Sequence, residues 1–231
     1  MRPVNILKIT LILAIWLVSS AALEAEDYQY QYFNKEKDKY VPFSDYIPKV
    51  RLHYKTVPHY LEDFYELYGL KQYYDENSLR KNIQRMKTAL NSRFRHPSQA
   101  LVKVETEEEY LKYRRLMFMH LNILILRNYM RIASKYDMQK INFYSAEFAK
   151  EIRESLDMAE GFYRQAMPYW EIARKYALDA SRIKITTDLG FMESERFSII
   201  SGNLSYRKII DDHIKRIGSK RQKLNRLSAR N

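Results

Sequence analysis

Between Phe148 and Ala180, the residues Phe148, Ile152, Leu156, Ala159, Tyr163, Ala166, Trp170, Ala173, Ala177 and Ala180 recur every three or four positions. That spacing places all of them on one face of an α-helix, about 50 Å long if unbroken. A stripe of that length has to be covered by another long helix, and its alanines admit a close neighbour. Pro168 lies inside the run with Gly161 nearby, so residues 145–182 are expected to form one helix kinked at Pro168 or two collinear ones.

The run "LMFMHLNILIL", Leu116 to Leu126, is apolar nearly all round. It is too short to cross a bilayer, it carries His120 and Asn122, and Arg114, Arg115 and Arg127 flank it, so it reads as the middle of a buried central helix. Thr106 to Glu109, "TEEE", is a capping box that opens this helix, which should run to about Tyr136. Upstream, Pro58 suits a first helical turn, with Leu61, Phe64, Tyr65 and Tyr68 on one face and Gly69-Leu70 as the C-terminal cap. Asp75 or Asn77 caps the next helix, which turns Leu79, Ile83, Met86, Leu90 and Phe94 inward and Arg80, Lys81, Arg85 and Lys87 outward, and "RHPSQ" stops it. Asp188-Leu189-Gly190 and Ser201-Gly202-Asn203 read as turns. A last helix begins near Leu204 with Ile210, Ile214, Ile217, Leu224 and Leu227 on one side. No strand alternation occurs outside the N-terminal segment, so the expected fold class is all-α, a long-helix bundle with an extended N-terminal arm.

The ends are different in kind. Residues 1–25 combine Arg2 and Lys8, a short apolar stretch from Ile9 to Val18, and small residues from Ser19 to Ala22, the pattern of a cleaved secretory signal peptide. With no cysteine in the chain, a lipid-anchored form is excluded, and stability has to come from packing rather than disulfides. Export without disulfides points to a bacterial periplasm and to no stable membrane insertion. Residues 26–57 lack helical periodicity, are punctuated by Pro42 and Pro48, and read as an extended arm. Eleven of the twenty tyrosines fall between Tyr28 and Tyr74, a concentration that suits an interface as well as internal packing. Residues 58–202 then form the helical core and residues 203–231 a basic C-terminal helix.

Chemistry finds little to work with. No acidic residue stands three before any of the five histidines, and HExxH is absent, so no metal site is expected. His120 reads as a hydrogen-bonded core histidine. "SLRK", Ser78 to Lys81, matches SxxK, but no KTG follows, and a capping serine explains it. Five glycines form no phosphate-cradling loop. Neither catalytic residues nor a cofactor are expected. A formal charge of +12 favours an acidic partner, and export makes nucleic acid the least suitable one. From His213 onward no acidic residue occurs. The candidate partner-binding residues are therefore Lys215, Arg216, Lys220, Arg221, Lys223 and Arg226 in the last helix, with Tyr28, Tyr30, Tyr32 and Phe33 in the arm. Both sets are expected to serve assembly and not folding, so that Lys220→Glu should leave the fold intact.

"AEGFYRQAMPYWEIARKYALDA", Ala159 to Ala180, resembles the helix pairs of tetratricopeptide-like proteins, but no second copy follows at their period. The assembly of a leader without a lipobox cysteine, a tyrosine-rich arm and long basic helices resembles the flagellar-coiling proteins of spirochaetes, which coat the periplasmic flagellar filament. That resemblance rests on organisation and composition, and no motif carries individual residues across. It implies a structural sheath protein that binds the filament core or other sheath proteins, assembles into a larger polymer, and contributes to filament curvature and motility. A periplasmic holdase or helical adaptor is the alternative. An enzyme acting on envelope glycan has only the basic charge in its favour.

Overall fold

Packing in the computed structural model begins with a helix whose middle has no solvent face. The structure describes residues 57–137 and 147–228, which lie within one compact unit of the chain; the leader and the arm to residue 56 fall outside the described residues. A short helix α1 (Leu61–Phe64) runs directly into a π-helical turn (Tyr65–Gly69), followed by α2 (Glu76–Leu90), a 3-10 turn (Pro97–Gln99), α3 (Glu107–Tyr136), α4 (Ala149–Ser181), α5 (Gly190–Ile200) and α6 (Tyr206–Ser228). Among the described residues the only extended pairing is an isolated bridge between Tyr60 and Arg93, so the fold is an all-α bundle.

α3 is the axis. Its capping box forms as expected: Thr106 Oγ1 accepts from the Glu109 N–H at 3.1 Å, and Glu109 Oε2 accepts from the Thr106 N–H at 3.1 Å. Every residue from Met119 to Leu126 is buried. α4 lies antiparallel along it, shown by the pairs Tyr136–Phe162, Tyr129–Tyr169 and Phe118–Tyr176 and by the Lys112 ammonium on the Ile185 carbonyl. All the stripe residues of α4 from Ile152 to Ala180 are buried, and five of them are alanines that let the two helices approach closely. The helix runs unbroken through Pro168. Phe148 departs from expectation: it occupies the N-cap position and is 52 % exposed.

α2 packs antiparallel on a second side of α3, with Lys87 on Tyr129 and Glu76 on Tyr136. Asp75 is its N-cap, accepting from Ser78 N–H at 2.8 Å, so Ser78 is a first-turn residue and not the cap. The helix ends at Leu90, before the "RHPSQ" segment, and Phe94 packs edge-on against Phe118 from beyond it. Gly69 is not a left-handed cap. It is needed for close approach instead, because a Cβ there would come within 2.4 Å of the Tyr65 ring. α5 was not foreseen: between the two expected turns, Met192, Glu195 and Ile199 turn inward.

The N-terminal helical turns are tied down by one buried cation. Arg95, 4 % exposed, donates to Asp63 Oδ1 from Nε at 2.9 Å and from Nη2 at 2.6 Å, and to Glu66 Oε2 at 2.6 Å. Its backbone N–H reaches Glu62 Oε2 at 3.1 Å, and Tyr113 donates to Glu62 Oε1 at 2.9 Å. Burial raises the pKa of Glu62 and Glu66. Burial would raise Asp63 too, but the N–H groups of His59 and Tyr60 and the Arg95 guanidinium outweigh it and hold Asp63 low. Arg95→Met should therefore cost about 3–5 kcal/mol at pH 7, since it strands buried carboxylates. Those carboxylates would then bind protons more tightly folded than unfolded, so the variant gains stability relative to wild type as pH falls towards about 5. Urea unfolding of both proteins at the two pH values checks this; a constant gap would show that Arg95 does not neutralise them.

Candidate functional site

α6 carries the expected cationic residues, and its periodicity decides which of them face outward. Ile210, Ile217 and Leu224 are buried at seven-residue intervals against α4, whereas Ile214 and Leu227 are half-buried. The two helices run antiparallel: Trp170 meets Tyr206, Arg207 pairs with Glu171 at 2.6 Å, and Tyr163 meets His213. Gly202, at φ 81°, makes the turn that sends α6 back along α4.

This packing divides the six predicted cations. Arg221 reaches across to α4 and, a third exposed, forms ion pairs with both Asp157 and Glu160. Lys220 donates to the Asp137 backbone carbonyl at the end of α3, and burial lowers its pKa. Both contacts tie α6 to the core, a role that the sequence reading did not assign to these two cations. Lys215, Arg216, Lys223 and Arg226 are exposed, and from His213 onward the outer face of α6 carries cations without acids, whereas Asp211 and Asp212 are exposed beside Lys208 in its first turns. Tyr28, Tyr30, Tyr32 and Phe33 lie outside the described residues.

Three buried polar clusters resemble active-site chemistry in composition, and each joins elements of the fold. His120, with no exposed surface, places Nδ1 2.7 Å from Glu195 Oε2, as the expectation of a hydrogen-bonded core histidine requires. Arg127 bonds the other Glu195 oxygen at 2.8 Å and Tyr206 Oη at 2.6 Å. Burial opposes the ionised Glu195, but His120 and Arg127 outweigh it and keep its pKa low. The Glu195 carboxylate thereby joins α5, α3 and the start of α6. Lys112 and Glu193 form a second buried pair at 2.7 Å. In the third cluster Tyr163 Oη lies 2.8 Å from Asp137 Oδ2 and 2.9 Å from His213 Nδ1, while burial and the nearby Arg216 lower the His213 pKa. Among the described residues no group of three or more histidines, cysteines, aspartates or glutamates could hold a metal ion, and no helix is long and apolar enough to cross a membrane.

The sequence reading missed Glu195 because it placed no helix there, and missed the reach of Arg221 to α4. A signal for the latter existed: Asp157 and Glu160 stand three apart on α4, one turn of acidic surface facing whatever helix covers the stripe. The division of cations has a direct test. Arg221→Ala should lower unfolding free energy by about 1–2 kcal/mol, whereas Lys215→Glu and Arg226→Glu should each stay within about 0.5 kcal/mol of wild type. Denaturant titrations followed by circular dichroism measure all three.

No curated protein and no solved structure matches the chain. Residues 108–227, from the first turn of α3 to the last turn of α6, match the family described as a domain of unknown function (DUF8513), and the chain belongs to that family.

Proposed function

We propose that this protein is a non-catalytic structural component of the periplasmic flagellar filament sheath, docking on an acidic protein surface and contributing to filament curvature and motility. The observation that carries the proposal is the outer face of α6. Lys215, Arg216, Lys223 and Arg226 are exposed there on a helix whose inner face is fully engaged with α4. A cationic face on a rigid helix steers association with an acidic partner and fixes its orientation. The resemblance in organisation to flagellar-coiling proteins supplies the acidic partner's identity, and the low glycine content and long antiparallel helices suit a stiff coat subunit. The tyrosines of the arm, Tyr28, Tyr30 and Tyr32 with Phe33, would add aromatic burial once contact is made.

Phe197, Ile200 and Ile209, all exposed, favour a second reading as a periplasmic holdase for unfolded clients. Fractionation separates the two. A sheath protein copurifies with periplasmic flagella, is lost from cells lacking filaments, and leaves the filaments as salt rises. The Lys215→Glu, Lys223→Glu, Arg226→Glu variant should elute at lower salt than wild type while keeping its helicity, and cells carrying it should have poorly curved filaments. A chain that follows unfolded outer-membrane proteins, with normal abundance in cells lacking filaments, refutes the sheath reading.

A further inference from the structure

α2 and α4 pack on different sides of α3, and between them lies an open groove of about 530 Å³. Its floor is Ile83, Tyr129 and Ile132; one wall is Arg80, Lys81, Gln84 and Arg85 of α2, and Gln165 of α4 stands opposite. Cations beside the groove contact aromatic side chains, and Lys87 Nζ also donates to Tyr129 Oη at 3.2 Å. Arg80 lies 4.9 Å from the Phe162 ring centroid, and Lys87 lies 5.7 Å from that of Tyr129 and 5.8 Å from that of Tyr169. From residue 80 to residue 87 a helix advances about 10 Å, which an extended peptide covers in about three residues.

The charge of this groove is one-sided. Arg80 has a carboxylate partner, Glu76 at 2.6 Å. Among the described residues no carboxylate pairs with Lys81, Arg85 or Lys87. The Arg85 guanidinium lies 3.9 Å from the Tyr68 ring centroid, a contact that orients it while leaving its N–H edge available to an anion. The remainder of the site is apolar or aromatic floor with the exposed Gln165 amide at its rim. Uncompensated cations beside an apolar floor of this length fit a short acidic peptide better than a bare anion, which would leave the floor uncovered.

We propose that the groove between α2 and α4 is a docking slot for an acidic segment of a partner protein, its carboxylates meeting Lys81 and Arg85 and one apolar or aromatic side chain lying on the Ile83–Tyr129–Ile132 floor. The proposal deepens the sheath reading by naming a second contact on the acidic partner, and it rests on that reading for the partner's location. α2 lies before residues 108–227, so the slot pairs residues inside the family match with residues outside it.

The test is fluorescence anisotropy on the purified full chain, with a labelled glutamate–tyrosine copolymer, labelled polyglutamate, and vesicles of anionic phospholipid as probes. The copolymer should bind more tightly than polyglutamate, and its affinity should fall as salt rises. Lys81→Glu with Arg85→Glu should weaken copolymer binding at least about ten-fold, and Gln165→Trp, which fills the slot without changing charge, should do the same. Lys215→Glu with Arg226→Glu should leave it within about two-fold. All variants should keep wild-type helicity by circular dichroism. Wild-type copolymer binding by folded groove variants overturns the proposal, as does equal affinity for polyglutamate and copolymer, or vesicle binding that the groove variants abolish without any binding of the copolymer. The two readings fail separately: a chain that copurifies with flagella but shows a silent groove loses only the slot, whereas groove-dependent copolymer binding by a chain absent from flagella loses only the sheath assignment.

Discussion

A helix buried on every side cannot exist alone, and the eight residues from Met119 to Leu126 impose that condition on everything around them. Each fully buried leucine or isoleucine there is worth about 1.5–3 kcal/mol relative to exposure, but only while all faces of α3 are covered. α4 covers one side with small residues, α2 another, and α5 reaches the remainder through Glu195 and Met192. The alanine stripe of α4 and the unbroken apolar middle of α3 are thus two halves of one requirement. The first allows close approach and the second demands it.

Polar groups inside this core follow the same logic. His120 and Asn122 interrupt the apolar run, and His120 obliges an acid to be brought to it from α5. Glu195 in turn requires Arg127, which reaches Tyr206 at the beginning of α6. Around Arg95, Asp63 and Glu66 share the guanidinium while Glu62 accepts from the backbone N–H, and Glu62 and Glu66 resist ionisation because burial outweighs the help they receive. These networks fix which helix end meets which; apolar packing alone would tolerate sliding.

What could be read from the sequence was whatever depends on residues close together in it. The α4 stripe from Ile152 to Ala180, the Thr106 capping box and the extent of α3 are all local patterns of spacing, and all are present. α5 escaped because two of its exposed residues, Phe197 and Ile200, are as apolar as its buried ones, while one of its three inward positions is a glutamate. Periodicity cannot find a face whose inner and outer residues share a polarity. The Arg95 cluster joins residues about thirty positions apart, and the engagement of Lys220 and Arg221 depends on Asp137, Asp157 and Glu160, so neither could be seen by reading along the chain. Charge sign was visible in the last helix; its direction was not.

The way α6 is fastened bears on how the domain transmits mechanical load. Its rungs to α4 are spread along the helix: Tyr206 at Trp170, Arg207 at Glu171, His213 at Tyr163, and Arg221 at Glu160 and Asp157, with Asn225 on Arg153 beyond. A pull along the helix axis strains all these rungs in parallel, so they must fail together. A pull perpendicular to the axis, applied at the C-terminal end, reaches the Asn225 and Arg221 rungs first and opens the remainder in turn. The same set of contacts is therefore stiff in shear and compliant in peel, and the direction in which a neighbour tugs on α6 decides whether the domain holds its shape or yields.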